Sequence, residues 1–316
     1  MFKKLFLPVG LLASVGISFL FPQLGPGIKQ ICGSSVFIIL IFLVCGYQTD
    51  FSNTRFNRNF LLSFLGCGIL SLLVAPWFGV AVANIFRLDN LAMTGLVVMT
   101  CVPPTLSSGI VMTETAEGNV VLGVMMTVFY NLIGVVTMPL ILAWTLANKS
   151  DINTDPLGMF VQLLLLVVLP FAAGFAAKKM LKRKLPVLLG YIPSACVIIL
   201  VLSFFSGANA HFKVYPVSVL LLAAAAGLIM RVGLMLILWF GGILMKMNEA
   251  DRKAAIFTAG SKTLTIALTL LAILKVGDGP AMIPCIVFYF LQSLIDSTLA
   301  AKMGISAAGS KEQKKA

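Results

Sequence analysis

Ten apolar runs, separated by short polar or basic connections, make up almost the whole chain: 5–22, 31–47, 60–84, 91–116, 119–146, 157–180, 187–206, 216–246, 252–274 and 279–303. Each approaches or exceeds the ~20 residues that a helix needs to cross ~30 Å of hydrocarbon. The pattern predicts an all-α polytopic membrane protein with ten transmembrane helices and no separate soluble domain. The runs divide into a five-span repeat at 1–150 and a second at 151–303, followed by a basic tail at 304–316. Five is odd, so the second repeat must be inverted in the bilayer relative to the first.

Two runs are interrupted. The fourth carries CVPPTLSS and the ninth carries FTAGSKTLT. A proline in a helix interior removes a backbone donor and clashes with the preceding turn, at ~3 kcal/mol. Non-helical backbone at membrane depth survives only when buried in protein or lining water. Both breaks are therefore expected to face inward, towards each other. Pro104 and Lys262 are 158 residues apart (262 − 104), half of the 316-residue chain. Interrupted segments at matching positions of two halves point to a transporter binding site. Pro103, Pro104 and Gly260 are the break residues. Pro104 suits the first turn of a new half-helix. Ser107 and Ser108 can satisfy nearby backbone groups, and the freed carbonyls become cation ligands.

Charge orients the spans and then singles out three residues. Hydrophobic residues are 59% and charged residues 11%, against roughly 25% charged in soluble domains; mean hydropathy is +1.04. With the N-terminus inside, sixteen Lys and Arg fall on the inner side and five (Lys29, Arg87, Lys149, Lys213 and Lys275) on the outer. Both termini are accordingly expected in the cytoplasm, with the chain in the cell (inner) membrane. The net charge of +12 lies in short connections and the tail without aromatic interleaving, so nucleic acid is not an expected partner. The first run imitates a signal peptide, but a clear small-residue cleavage site is lacking and it reads as a retained span. Of the 23 basic residues, only Arg231 and Lys262 sit within spans. A charge at membrane depth costs at least ~2.5–3.5 kcal/mol and is functional by default. Arg231 and Asp296, of opposite charge and similar depth, are expected to form an intramembrane ion pair. Glu114 and Glu117 read as solvated, and Tyr130, Asn131 and Gln292 either line a crevice or bond neighbouring helices. Six scattered cysteines form no CxxC pair, His211 reads as a loop residue, and no GxxxxGK[ST] motif occurs.

At the two breaks the sequence resembles the bile acid:sodium symporter superfamily, and most of all its sodium-bile-acid-symporter-like bacterial branch. The fourth-span match takes in Pro103, Thr105, Ser107, Ser108, Thr113, Ala116, Gly118 and Asn119. GSKTLTIALTLL resembles the ninth-span motif at Lys262, Thr263 and Leu264. The resemblance implies a panel of spans 1, 2, 6 and 7, and a core of spans 3–5 and 8–10 in which broken spans 4 and 9 cross. It also implies two Na⁺ ions behind the crossing. At the implied ligand positions this chain has Gly109, Ile110, Gly123, Thr127, Ser71, Phe257 and Ser261. Thr127 keeps a hydroxyl, the acidic ligand is missing, and Lys262 has appeared beside it. The expectation is at most one sodium, drawn from Ser107, Ser108, Asn119 or Thr127, with Ser108 and Thr127 the candidate pair, or none if Lys262 replaces the coupling ion or titrates during transport.

The function read from these features is secondary active transport of an organic anion, bile-acid-like or another small amphipathic solute, by alternating access. Thr105, Ser107, Ser108, Asn119, Thr127, Ser261, Lys262 and Thr263 are the candidate substrate and ion residues. The expected partners are a small organic anion and the lipid bilayer, and the chain is expected to act as a monomer without an organic cofactor. A non-transporting membrane regulator with the same fold is the alternative. An intramembrane enzyme would need paired acids or His with an acid at depth, and only Asp296 lies well inside a span. Arsenite carriers of the superfamily use a cysteine beside the span-4 proline, whereas Cys101 lies two residues before Pro103.

Overall fold

The computed structural model describes residues 2–49, 58–106, 108–146, 155–181, 186–214, 216–276 and 281–313. Ser107, and the connection residues Arg55, Lys149, Lys182, Arg183, Lys184, Lys314 and Lys315, lie outside them. Among the described residues the chain is all helix: α1 (Phe2–Leu20), α2 (Leu24–Gln48), α3 (Arg58–Ile85), α4 (Asn90–Cys101), α5 (Ser108–Thr115), α6 (Val120–Leu146), α7 (Pro156–Leu181), α8 (Ile192–Val214), α9 (Val217–Leu244), α10 (Glu249–Ala254), α11 (Leu264–Ile273) and α12 (Met282–Gln313). A π-helical turn, Ala255–Ala259, continues α10. Among the described residues seven helical segments are long and apolar enough to cross a membrane; Asn90–Cys101, and the part of α2 beyond a kink at Gly33 (φ 62°, ψ 149°), Ser35–Gln48, are shorter apolar helices. The chain is therefore a polytopic membrane protein. Several boundaries differ from the sequence reading, among them the start of α2 at Leu24 rather than at residue 31. His211 lies in the last turn of α8 rather than in a loop, and α12 runs on through much of the basic tail. Ala, Lys and Glu in these stretches favour helix even where apolarity has ended.

Local chemistry starts and stops these helices. Asp89 caps α4 by accepting from the Ala92 N–H at 2.8 Å, and Asn248 caps α10 by accepting from the Asp251 N–H at 2.8 Å. Two residues before each cap the chain turns through a left-handed residue, Arg87 (φ 49°) and Lys246 (φ 54°). In both turns the next N–H reaches back five residues, Leu88 to Ala83 and Met247 to Gly242. The same ending closes α5 at Glu117 (φ 56°) and α11 at Lys275 (φ 60°). Prolines shape the interiors. In α3 a π turn spans Ile69–Val74 just before Pro76, and in α7 another spans Leu164–Val168 just before Pro170. The wider turn relieves the clash of the ring with the carbonyl four residues back.

Packing separates two groups. α2 lies against α7 and α8, and α1 against α8. In the second group α4 packs on α3 and α12, α9 on α12, and α5 on the π turn after α10. Every residue of α4 from Ala92 to Cys101 is buried, so this helix is apolar on all sides because protein surrounds it. α2 and α7 approach closely at Gly174, where an added Cβ would collide with the Leu43 carbonyl oxygen. Gly174→Ala should therefore force the backbones apart at about 1–3 kcal/mol. Purified protein in detergent is expected to melt several degrees lower; an unchanged melting temperature would mean that the interface is looser than this.

Candidate functional site

Two unwound segments meet inside the second group. Helix α4 ends at Cys101, and residues 102–106 run non-helically before α5. The turn after α10 ends at Ala259, and residues 260–263 run non-helically before α11. The Thr263 N–H donates to the Pro103 carbonyl at 3.2 Å, and Thr263 Oγ1 donates to the Pro104 carbonyl at 2.7 Å. Asn131 Nδ2 donates to the same Pro104 carbonyl at 3.0 Å. Ser261 Oγ donates to the Thr258 carbonyl at 2.8 Å, so its proton is committed. Thr105 must then be the donor in the 3.1 Å contact between Thr105 Oγ1 and Ser261 Oγ. Ser108 Oγ and the Gly109 N–H in turn donate to Thr105 Oγ1, at 2.8 and 3.1 Å. Hydroxyls thus take over the backbone groups that the prolines and Gly260 leave unpaired.

Lys262 is fully buried at the centre of this meeting. Its Nζ donates to the Ser71 carbonyl at 2.7 Å and to the Val102 carbonyl at 3.0 Å, with Ser71 Oγ at 3.4 Å. The sequence explains why both carbonyls are free. In α3 the Ala75 N–H bonds Leu70 rather than Ser71, and Pro76, next in line, has no N–H. Val102 follows the last residue of α4 in extended conformation, and the chain runs non-helically to residue 106, so no N–H four residues on comes round to its carbonyl. Gln292 holds the lysine backbone from α12: the Lys262 N–H donates to Gln292 Oε1 at 2.8 Å, and Gln292 Nε2 donates to the Lys262 carbonyl at 3.2 Å.

Arg231 and Asp296 pair directly. Arg231 Nε donates to Asp296 Oδ1 at 2.8 Å and Nη2 contacts the same oxygen. Nη1 donates to the Gly260 carbonyl and Nη2 to the Ile256 carbonyl at 3.4 Å. Arg231 and Asp296 are 0% and 4% exposed, so neither charge is met by solvent.

The remaining candidates separate. Thr127 on α6 is buried, and its Oγ1 has no hydrogen-bond partner among the described residues; nor has Asn131 Oδ1 one turn on. Asn119 is not at the breaks. Its side chain accepts from the Leu122 N–H at 3.1 Å and donates through Nδ2 to Asp251 Oδ1 at 2.7 Å, tying the start of α6 to α10. An Asn just ahead of an apolar run is a cap by default; Asn119 entered the candidate list through its place in the fourth-span motif. Of the side chains at the positions that resemblance associates with sodium, only Thr127 keeps an oxygen uncommitted among the described residues. Ser71 Oγ donates to the Ala259 carbonyl at 2.5 Å. Gly109 sits so close to the neighbouring turn that a Cβ would lie 2.7 Å from the Phe257 carbonyl oxygen. These residues do not fit a cage for two ions.

A small cavity, with room for about one water, opens beside the breaks, between them and helices α2 and α8. Its polar lining is Thr105, Ser108, Thr263, Thr265 and Tyr289, and Ile41 and Val197 are among its apolar walls. The first turns of α5 and α11 border it. Thr263 precedes α11 without capping it, because its hydroxyl is turned to Pro104. The positive ends of two half-helices therefore adjoin one cavity, while Lys262 and Arg231 occupy the carbonyl ends. Sequence reading named Ser71 only at an implied side-chain ligand position and did not name Val102; both contribute backbone oxygens, and the clue available for Ser71 was Pro76, five residues on.

Comparison with known proteins agrees with this architecture. A family model described as the SBF-like CPA transporter family matches residues 6–304. The chain is 24% identical over 318 residues to the Probable sodium/metabolite cotransporter BASS4, chloroplastic, of Arabidopsis thaliana, covering 93% of this chain and 71% of that protein. It is 23% identical over 317 residues to the Sodium/bile acid cotransporter 7 of Mus musculus, covering 94% of this chain and 92% of that protein. With its family model matched over residues 6–304, the chain belongs to the SBF-like CPA transporter family, whose members are transporters and not enzymes.

Proposed function

We propose that this chain is a secondary active transporter of a small organic anion, working by alternating access, with the Lys262 ammonium in place of a coupling sodium. The observation that carries the reading is the position of Lys262 Nζ, bonded to the carbonyls of Ser71 and Val102 where the two breaks meet. A mobile cation would find its oxygen ligands at the same carbonyls. Two positive charges ~4 Å apart repel by roughly 4 kcal/mol at an effective dielectric of about 20, so a sodium ion does not share the position. The small cavity beside the half-helix N-termini is the anion site in this reading, with the positive ends of α5 and α11 turned to the substrate as the core moves against the panel.

Ten spans in two inverted five-span repeats fit the local structure. The caps Asp89 and Asn248 are 159 residues apart (248 − 89), and so are the left-handed turns at Arg87 and Lys246 (246 − 87). Those at Glu117 and Lys275 are 158 apart (275 − 117), the spacing of Pro104 and Lys262. On this plan α1, α2, α7 and α8 form the panel, the other helices form the core, and both termini are cytoplasmic. Alternating access is the core moving against the panel, opening the cavity first to one side and then to the other.

The test is uptake by proteoliposomes of a panel of radiolabelled organic anions, in Na⁺ and in choline medium, with and without a proton gradient. Saturable uptake of at least one anion is expected, changing less than twofold when choline replaces Na⁺. Uptake that collapses without Na⁺ would overturn the role given to Lys262. No uptake of any anion, together with no thermal stabilisation by any of them, would overturn the transporter reading.

A further inference from the structure

The two breaks create two helix C-termini that end among buried groups. One is the end of α4 at Val102, and the other is the end of the turn after α10 at Gly260. Unpaired carbonyls at such ends carry partial negative charge, and a cation placed there satisfies them. Lys262 does this for Val102. The second end is met by the guanidinium of Arg231, which reaches the carbonyls of Gly260 and Ile256. An arginine held only to neutralise an acid would turn its paired face to the carboxylate and leave Nη1 idle. Here Nε and Nη2 engage Asp296, and Nη1 is aimed at the break. The planar fork, fixed by the carboxylate, is what sets Nη1 in place.

We propose that Arg231 is a positioning residue of the transport site: its guanidinium caps the helix end that leads into Gly260–Thr263, and Asp296 serves to orient it. Each half-helix C-terminus at the meeting of the breaks is then closed by a cation that belongs to the chain, Lys262 for one and Arg231 for the other. The breaks hold their shape without a bound ion, and the half-helix N-termini on the cavity side stay available to the anion. The inference rests on the proposed function for its meaning in transport, but its structural content stands apart from it.

The experiment compares wild type with the double variant Arg231→Met/Asp296→Leu, which removes both buried charges at similar volume, and with Arg231→Lys, which keeps a charge facing Asp296 but cannot also reach Gly260. Amide hydrogen exchange of peptides covering residues 256–264 is read beside anion uptake. In both variants exchange in these peptides should rise at least tenfold, with peptides of α2 and α7 unchanged, and uptake should fall at least tenfold. Wild-type exchange around Gly260 in either variant would overturn the proposal and reduce Arg231 to the partner of Asp296. If the double variant does not fold, Arg231→Lys decides alone. Exchange is measurable on a protein that transports nothing, so a failure of the transporter reading and a failure of this one give different results.

Discussion

Replacing Lys262 by methionine should abolish anion uptake, by more than a hundredfold, whatever cation is present. Methionine fills nearly the same volume and supplies no donor. The Ser71 and Val102 carbonyls would then be buried without partners, each at about 1–3 kcal/mol. Neither can turn to its own helix, because Pro76 brings no N–H to Ser71 and the helix of Val102 has ended at Cys101. The segment after α4 would shift to find other partners, and with it Thr105 and Ser108 beside the cavity. Lys262→Ala should behave differently, because it opens space between the same two carbonyls. Uptake by that variant is expected to be lost in choline and partly restored by Na⁺ or K⁺, making a transporter that borrows the cation it lacks. Wild-type uptake by Lys262→Met would remove the lysine from the mechanism. Calorimetry of wild type that found two Na⁺ bound per chain would do the same.

Much of this architecture could be read from apolar length and from two interruptions. Each of the ten runs contains helix, since in hydrocarbon a continuous apolar run has few alternatives. The breaks were legible because proline, glycine and lysine are conspicuous where lipid-facing residues belong, and Arg231 and Asp296 because charges inside spans need each other. What stayed hidden was carried by the backbone. The Ser71 carbonyl becomes a ligand only through the π turn ahead of Pro76, and periodicity does not reveal a change of helical register. Asn119 shares a motif with the fourth-span break, but the helix in between carries it to the start of α6. Gln292 was ambiguous among polar residues within spans until its amide was seen to bracket the Lys262 backbone. The cavity has no motif, since its wall combines α2, α8, both breaks and α12.

Asp296→Ala should give a protein that barely accumulates in the membrane. The change leaves the Arg231 guanidinium buried with only two carbonyls for company, and removing one partner of a buried pair costs ~3–5 kcal/mol. That is comparable with the whole stability of many domains, about 5–15 kcal/mol. The damage is expected to centre on the contact between α9 and α12, which carry the two charges. Asp296→Asn keeps an oxygen that can accept from Nε, so it should accumulate to an intermediate level. Replacing both residues by apolar ones of similar volume removes the uncompensated charge along with the pair. Well-packed apolar substitutes for a buried ion pair are often neutral for stability, so the double variant Arg231→Met/Asp296→Leu is expected to recover most of the wild-type level. Size-exclusion profiles of the three variants from equal cell mass measure this. Full accumulation of Asp296→Ala would mean that Arg231 is adequately neutralised by the Gly260 and Ile256 carbonyls alone. A double variant as poor as Asp296→Ala would mean that the loss arises from packing between α9 and α12 rather than from an unpaired charge.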